Sequence, residues 1–365
     1  MSFLLLAFGL SAVITLLVIR SARALHPLSG HAYPFGPQRV HHEPVPRIGG
    51  VGIVLGLAAA LGMLSVAHKD ETLIGLVLLA CAVPAFLAGL AEDVTRSQSP
   101  RRRLFFTAMS AAIAVWALDA VIDRTDIPGL DWLVSYSVGA AVTTVFAVTG
   151  VANAVNIIDG FNGLAAMCVM MMLGAIAYVA FQAQDPALAV CALAGFGAVL
   201  GFFIWNFPAG LIFLGDGGAY FLGFYVAELS VLLLHRNPEV SPMFPLLMCI
   251  YPIFETVFSM YRRRFIRGRP VGMPDGVHLH SLVYRRLMRW AVGNKSAKAL
   301  TKRNSLTAPY LWMLCMLSIV PAVVFWDNTP VLAVFIVLFG LTYVFLYGRI
   351  VRFRVPQWLV VRRGR

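Results

Sequence analysis

Long apolar runs separated by short polar stretches organise the chain. About 20 apolar residues span the hydrocarbon core of a bilayer as a helix, whereas the strands of an outer-membrane barrel alternate over about ten. The pattern therefore predicts an all-α, polytopic membrane protein that forms one transmembrane domain over residues 1–365. Eleven candidate spans cover roughly residues 3–19, 48–67, 72–91, 104–122, 132–152, 164–181, 187–205, 218–235, 243–260, 308–326 and 331–347.

The composition agrees with a membrane protein. Of 365 residues, 59% are hydrophobic and 13% are charged, against about 25% charged residues in a soluble domain. All five cysteines lie inside apolar runs, with neither a disulfide framework nor the spacing of metal ligands. The first run lacks a basic leader and a small-residue cleavage site, so we expect a retained span and not a signal peptide.

The basic residues divide unequally between the two sides of the predicted bundle. The loops 20–47, 92–103, 153–163, 206–217 and 261–307 and the basic tail 348–365 hold all 29 lysines and arginines except Lys69, Arg124 and Arg236. The positive-inside rule predicts that this side is cytoplasmic. The N-terminus is then periplasmic and the C-terminus cytoplasmic, which requires an odd number of spans. This topology also explains the net charge of +12, so that no nucleic-acid partner is expected.

The densest polar stretch is NAVNIIDGFNGL, residues 153–164. Asn153, Asn156 and Asp159 are spaced three apart, which places them on one face of a helix end. Gly160 lets a ligand come close to the backbone. Polar groups at membrane depth are expensive and mark a candidate functional site. The alternative is that the amides only join neighbouring helices.

A second polar stretch, NFPAGLIFLGDGG, covers residues 206–218 and begins with Asn206. Its Asp216 lies among Gly215, Gly217 and Gly218, where the next span begins. A carboxylate in a glycine-rich turn at a helix start is suited to Mg²⁺ and a phosphate. The G-K-S/T of a P-loop is absent.

Two clusters at span ends are weaker signals. Glu92 and Asp93 end the third span, where adjacent carboxylates suit a divalent cation or a general base. They could equally balance nearby arginines. Arg47 and the glycines after it begin the second span, which favours anion binding by backbone N–H groups or a contact with lipid head groups.

The basic loop 261–307 carries a third cluster, His278 and His280. Zinc would need a matching pair of ligands, which the sequence lacks. Histidines among arginines suit a polyphosphate better, although the arginines alone follow from topology. Carboxylates for Mg²⁺ beside cations for a diphosphate indicate phosphoryl transfer at the cytoplasmic edge, and the membrane setting suggests a lipid substrate.

In this order the motifs resemble the polyprenyl-phosphate N-acetylhexosamine-1-phosphate transferases. The motifs are PRIGG, the acidic pair, NAVNIIDGFNGLA, NFPAGLIFLGDGGAYFLGF and HLH, and the similarity runs from about residue 41 to 282. The family includes phospho-MurNAc-pentapeptide transferase and the enzymes that start O-antigen, enterobacterial common antigen and teichoic acid synthesis. The resemblance implies transfer of a HexNAc 1-phosphate from a UDP-N-acetylhexosamine to undecaprenyl phosphate in the bacterial inner membrane, releasing UMP. It implies Mg²⁺, with Mn²⁺ as an alternative, and leaves the oligomeric state open, a homodimer included.

The resemblance also assigns roles to residues by motif. It implies Asp216 as the metal ligand and the acidic pair with Asp159 as catalytic groups. The remaining expectations are diphosphate binding by Asn156, His278, His280 and Arg47, uridine binding by Asn162, Gly160 and Phe213, with Phe213 stacking on uracil, and a supporting role in the site for Asn153 and Asn206.

Four positions depart from the family pattern. Glu92 stands where the pair usually begins with Asp, Asn162 where a second acid is common, Ser281 where a third histidine is common, and Glu43 where the peptidoglycan enzyme has a lysine. They favour the surface-polysaccharide branch and leave the sugar open. Two alternatives are a transporter or flippase, which would need acids at the bilayer midplane, and an inactive relative that serves as an assembly partner.

Overall fold

The computed structural model describes residues 2–25, 45–66, 69–268, 276–288 and 297–352, and within these residues the secondary structure is helical, with no strand. The predicted fold class is confirmed. The helices are α1 (Ser2–Leu25), α2 (Gly49–Leu64), α3 (Lys69–Thr95), α4 (Pro100–Leu118), α5 (Pro128–Val134), α6 (Ser137–Ile158), α7 (Leu164–Gln182), α8 (Pro186–Asn206), α9 (Gly215–Arg236), α10 (Met243–Met248), α11 (Ile250–Tyr261), α12 (Leu279–Leu282), α13 (Ala297–Val324) and α14 (Thr329–Val351). Short π-helical turns, Arg262–Ile266 and Val283–Leu287, continue α11 and α12.

Each of the eleven predicted stretches is mostly helical over its described residues. The stretch 132–152 contains a break at Ser135 and Tyr136, between α5 and α6. In the described part of the chain, eight helices are long and apolar enough to cross a membrane. The protein is therefore a multi-pass membrane protein, while the count of eleven spans and the positions of the termini stay predictions. All five cysteines are buried and none of them forms a disulfide, as expected.

The predicted span 243–260 is interrupted. It consists of α10 and α11, which meet at Cys249. Pro252 explains the break, because proline has no N–H to donate to the carbonyl of Met248 and its ring collides with that carbonyl.

Several helices extend beyond the apolar runs that predicted them. α3 continues to Thr95, α6 continues to Ile158, and α9 already begins at Gly215. The loops predicted at 92–103, 153–163 and 206–217 are therefore shorter, and part of each is helical. The apolar runs are shorter than these helices, because the last turns of α3 and α6 and the first turn of α9 carry the polar residues of the candidate site.

Helix α9 lies at the centre of the bundle. It contacts α2, α3, α4, α6, α7 and α8, and its apolar window is buried throughout. The helices α13 and α14 pack on the other elements through α7, α10 and α11. The first turn of α9, which carries Asp216, therefore lies among the ends of several neighbouring helices.

Close backbone contacts hold α9 against its neighbours. A Cβ built on Gly89 of α3 would lie 2.6 Å from Cα of Gly217, and a Cβ on Gly223 would lie 2.5 Å from Cα of Ala152 in α6. Small residues at a helix interface allow such approach, which contributes van der Waals packing where lipid removes the hydrophobic driving force between helices.

We predict that Gly89→Ala destabilises the protein and Gly150→Ala does not. The alanine methyl at 89 would force α3 away from α9, and overpacking of this kind costs about 1–3 kcal/mol. Gly150 also lies within a helix, but a Cβ there meets no atom within 4 Å, so only the favourable helix propensity of alanine acts. Thermal unfolding of both variants in detergent is the measurement, and equal melting temperatures would contradict the packing account.

Candidate active site

The segment before α2 pairs with the segment before α9. The backbone N–H of Phe213 donates to the carbonyl of Pro46 (2.8 Å), Gly49 N–H donates to the carbonyl of Phe213 (3.0 Å), and Gly50 N–H donates to that of Leu214 (2.9 Å). Two motifs separated by more than 160 positions thus form one wall of the site. Arg47 lies in this wall with its side chain exposed, while His41, His42 and Glu43 lie outside the described residues.

Asp93 caps the start of helix α9 from the neighbouring helix. Its Oδ1 accepts the N–H of Asp216 and its Oδ2 accepts the N–H of Gly217, both at 2.9 Å. The first N–H groups of a helix lack partners within the helix and carry partial positive charge, so a carboxylate there is stabilising. Both carboxylate oxygens of Asp93 thus accept backbone N–H groups in this structure. A catalytic role for Asp93 stays a prediction.

Glu92 points to the connection between α3 and α4. Its Oε2 accepts the N–H of Gln98 at 2.7 Å. The two acids of the pair therefore bind different segments: Glu92 binds the connection between α3 and α4, and Asp93 binds the start of α9. A catalytic role for Glu92 stays a prediction.

Asp216 lies in the first turn of α9 with 17% of its side chain exposed. Its Oδ1 accepts Nδ2 of Asn156 at 3.2 Å, and its Oδ2 forms an ion pair with Nη1 of Arg103. The Arg103 guanidinium also lies 5.8 Å from the centre of the Tyr220 ring, and the Tyr220 hydroxyl lies 3.3 Å from Oδ1 of Asn153. Asn153 and Asn156 therefore join the same cluster as Asp216, as their helical spacing predicted.

Sequence analysis missed Arg103, because it counted the run of three arginines only as cytoplasmic charge. Helical spacing would have separated them. Arg103 precedes Thr107, Ser110, Ala111 and Ala114 on the buried face of α4, whereas Arg101 and Arg102 are exposed.

Asp159 ends helix α6, and its N–H donates to the carbonyl of Asn156 at 3.2 Å. Burial raises the pKa of its carboxyl to about 7; the guanidinium of Arg47 opposes this shift and the charge of Asp93 adds to it. Near neutral pH the carboxyl is therefore a mixture of its charged and protonated forms. The electrostatic effect of Arg47 and Asp93 also indicates that all three face one region.

The histidine motif is anchored by a buried acid, Glu255 of α11. Oε1 of Glu255 lies 3.0 Å from Nδ1 of His278 and accepts the N–H of Leu279 at 2.9 Å, while Oε2 accepts the hydroxyl of Tyr343 at 2.8 Å. The rings of His278 and His280 stack with centres 5.1 Å apart. The carboxylate thus fixes both the backbone and one ring of the motif.

The anchored motif meets the polar end of α6. A Cβ built on Gly160 would lie 3.3 Å from Nε2 of His280, and the ring centres of Phe161 and His280 are 5.5 Å apart in an edge-to-face arrangement. The structure therefore brings the histidines to the cluster predicted from sequence. Contacts of His278 and His280 with a diphosphate stay predictions.

Sequence analysis did not connect Glu255 with the motifs. Its spacing contained a usable signal. Glu255, Ser259 and Arg262 lie four and three residues apart, all are buried, and together they form a polar stripe on one helical face.

The predicted uridine-binding residues differ in accessibility. Gly160 is exposed and Phe213 is half-buried, whereas Asn162 is 1% exposed. Nδ2 of Asn162 donates to the hydroxyl of Ser305 (3.3 Å) and to the carbonyl of Pro208 (3.4 Å), and its backbone N–H donates to Oδ1 of Asn304 (2.8 Å). The amide of Asn162 therefore connects the turn after α6 to helix α13, and a contact between Asn162 and uracil stays a prediction.

Asn206 has a similar bracing role. Its Oδ1 accepts the N–H of Gly163 at 2.6 Å and its Nδ2 donates to the carbonyl of Ile212 at 2.7 Å. It therefore connects the turn after α6 to the segment before α9, and a role of Asn206 in the site stays a prediction.

We predict that Glu255→Leu strongly destabilises the protein. It leaves the Leu279 N–H, the Tyr343 hydroxyl and His278 without their buried acceptor, and each orphaned group costs about 1–3 kcal/mol. Glu239→Leu removes an exposed carboxylate and is the matched control. Thermal unfolding in detergent compares the two variants, and similar melting temperatures would show that Glu255 is not an anchor.

Comparison with known proteins places the chain in a family. Residues 75–234 match the model of glycosyl transferase family 4. A Bacillus subtilis protein named probable undecaprenyl-phosphate N-acetylglucosaminyl 1-phosphate transferase is 30% identical over 71% of this chain and 70% of its own length. The undecaprenyl-phosphate alpha-N-acetylglucosaminyl 1-phosphate transferase of Thermotoga maritima is 28% identical over 69% of this chain and 72% of its own.

A third relative acts in another branch. The phospho-N-acetylmuramoyl-pentapeptide-transferase of Geobacillus kaustophilus is 30% identical over 51% of this chain and 60% of its own length. The resemblance that the motifs carried is thereby confirmed. This chain is a multi-pass membrane member of glycosyl transferase family 4, the family of these sugar-1-phosphate transferases.

Proposed function

We propose that the protein transfers a HexNAc 1-phosphate from a UDP-N-acetylhexosamine to undecaprenyl phosphate, at the cytoplasmic face of the membrane. An oxygen of the lipid phosphate attacks the phosphorus that carries the sugar. The bond from that phosphorus to the bridging oxygen breaks, and UMP leaves with the bridging oxygen. The products are undecaprenyl-diphospho-sugar and UMP, the first lipid-linked intermediate of a cell-surface glycan.

The observation that carries the proposal is the convergence at the first turn of α9. Asp216, Asn156 and Arg103 are in direct contact there, and Asp93 holds the backbone. Carboxylate, amide and guanidinium groups at a helix N-terminus match the needs of a metal-bound diphosphate. The cytoplasmic side is supported by the distribution of basic residues, since Arg47 and Arg103 belong to the arginine-rich side.

The donor chemistry of this cluster fits Mg²⁺. Among the described residues no group of three or more His, Cys, Asp or Glu is arranged to hold a metal ion. Mg²⁺ does not need one, because it commonly binds one or two carboxylates together with substrate phosphates and water. Asp216 would supply the carboxylate and Asn156 an amide oxygen. Bound there, the ion would neutralise the diphosphate and make UMP a better leaving group.

The attacking group requires little help from a base. A lipid phosphate is already anionic at neutral pH and needs no base to remove a proton. The reaction is therefore compatible with a carboxylate of Asp93 whose two oxygens accept backbone N–H groups. The carboxyl of Asp159 and the exposed side chain of Arg47 are then proposed to orient the phosphates and to balance their charge.

The names of the relatives suggest which substrate to try first. Both relatives matched over about 70% of their length are named for N-acetylglucosaminyl transfer. We therefore propose UDP-N-acetylglucosamine as donor and the surface-polysaccharide branch as the setting, in line with the departures from the peptidoglycan pattern. Phe213, half-buried beside the site, is the proposed platform for uracil.

Nothing in the described residues favours a transporter. Such a protein would need acids at the bilayer midplane. Glu255 belongs to the histidine motif, and Glu228 is buried alone within α9, with no hydrogen-bond partner for its carboxylate among the described residues.

The test is turnover by the purified protein. With undecaprenyl phosphate, UDP-N-acetylglucosamine and Mg²⁺, we expect UMP release and sugar label in the lipid phase in equal amounts. Asp216→Asn should abolish both, while Glu239→Gln, which removes an exposed charge, should leave them unchanged. Absence of lipid label with every UDP-N-acetylhexosamine would overturn the proposed reaction. Near-normal turnover by Asp216→Asn would overturn the metal assignment alone.

A further inference from the structure

The three arginines at the start of α4 do not share one environment. Arg101 and Arg102 are exposed, whereas the side chain of Arg103 is only 14% exposed. The helix begins at Pro100 with Ser99 as its cap, which accepts the N–H of Arg102. One turn of helix thus offers a buried arginine and an exposed one next to it.

The buried guanidinium of Arg103 contacts Asp216 and Tyr220, and one of its N–H groups has no acceptor among the described residues. Its Nη1 pairs with Oδ2 of Asp216, and its carbon lies 5.8 Å from the centre of the Tyr220 ring. Its Nε–H is buried and has no hydrogen-bond partner among the described residues. A buried donor without an acceptor is costly, so this guanidinium can accommodate a further acceptor.

The partner of Arg103 is also the carboxylate proposed to bind Mg²⁺. A guanidinium and a divalent cation repel each other strongly when both lie within a few ångströms in a partly desolvated site. Arg103 lies directly against Oδ2 of Asp216, so a metal that binds this oxygen takes the place of the guanidinium. Binding of the metal at Oδ2 therefore includes a movement of Arg103.

We propose that Arg103 is the resident counter-cation of Asp216, which the metal displaces, and that the displaced guanidinium binds a phosphate oxygen of the incoming diphosphate. The inference rests on the proposed function, because it assumes a metal at Asp216. Arginine is suited to binding the phosphate, since its planar guanidinium binds phosphate oxygens through two N–H groups.

This arrangement links two binding events. Without substrate, a metal that binds Asp216 breaks the ion pair with Arg103, which weakens the binding of the metal alone. When a diphosphate is present, Arg103 pairs with a phosphate oxygen, and this new contact compensates for the lost ion pair. Metal and nucleotide should therefore bind better together than separately.

The first measurement is Mn²⁺ affinity without nucleotide, followed by the electron paramagnetic resonance signal of free Mn²⁺. Arg103→Gln should lower the Kd for Mn²⁺ about tenfold, because a nearby positive charge is removed. Arg102→Gln removes the same charge at an exposed position of the same turn and should change the Kd less than about twofold. Arg103→Lys, which keeps the charge, should resemble the wild type.

The second measurement is UDP affinity at saturating Mn²⁺. Arg103→Gln should weaken UDP binding about tenfold because the phosphate loses its guanidinium, while Arg102→Gln should bind UDP as the wild type does. A residue that only stabilises the fold would not tighten Mn²⁺ and weaken UDP in one variant. Size-exclusion profiles and melting temperatures show whether each variant is folded.

The outcomes separate the inference from the function on which it rests. If Arg103→Gln binds Mn²⁺ no more tightly than Arg102→Gln, the counter-cation role is overturned. If Mn²⁺ binding tightens but UDP affinity is unchanged, the phosphate contact is overturned. Asp216→Asn tests the metal assignment independently: unchanged Mn²⁺ affinity in that variant would overturn the metal site itself, whatever Arg103 does.

Discussion

The contact between Asp93 and the first turn of α9 is the interaction on which the site depends. It joins the end of one helix to the start of another through two hydrogen bonds of 2.9 Å. Without it, the N–H groups of Asp216 and Gly217 would lose their acceptors at the start of α9, where no carbonyl of the same helix can replace them. The close approach of Gly89 to Gly217 brings α3 against α9, so that Asp93, one turn further along α3, lies beside the first turn of α9. The position of the Asp216 side chain follows from both constraints.

The same device recurs around the site, where polar side chains bind backbone groups of the motifs instead of facing solvent. Glu255 accepts the N–H of Leu279, Asn206 that of Gly163, and Glu92 that of Gln98. Glu255 and Asn206 bind these N–H groups from a neighbouring helix, whereas Glu92 binds the connection that follows its own helix. The groups then left to meet a substrate are few, and this precision of placement is what a phosphoryl transfer reaction needs.

Much of this architecture could be predicted from the sequence. Hydrophobic runs predicted the long helices but not α12, which lies in the predicted loop 261–307. The three-residue spacing of Asn153, Asn156 and Asp159 predicted a shared face that the contacts with Asp216 and Tyr220 bear out for the two asparagines. The roles of single polar residues could not be predicted, because a side chain that binds a substrate and one that binds backbone belong to the same residue types. Asn162 and Arg103 illustrate this: the amide of Asn162, predicted to bind uridine, is hydrogen-bonded to Ser305 of α13, and Arg103, counted only as loop charge, lies in the Asp216 cluster.

The most direct test of this account is hydrogen exchange of the backbone at the start of α9. In Asp93→Asn we expect the peptide covering 215–218 to exchange at least about tenfold faster, since two charge-assisted hydrogen bonds are weakened, each contributing about 1.5–3 kcal/mol. In Glu92→Gln, which neutralises the adjacent acid but keeps an acceptor for Gln98, exchange at 215–218 should equal that of the wild type. Unchanged protection at 215–218 in Asp93→Asn would contradict the claim that this carboxylate holds the catalytic turn.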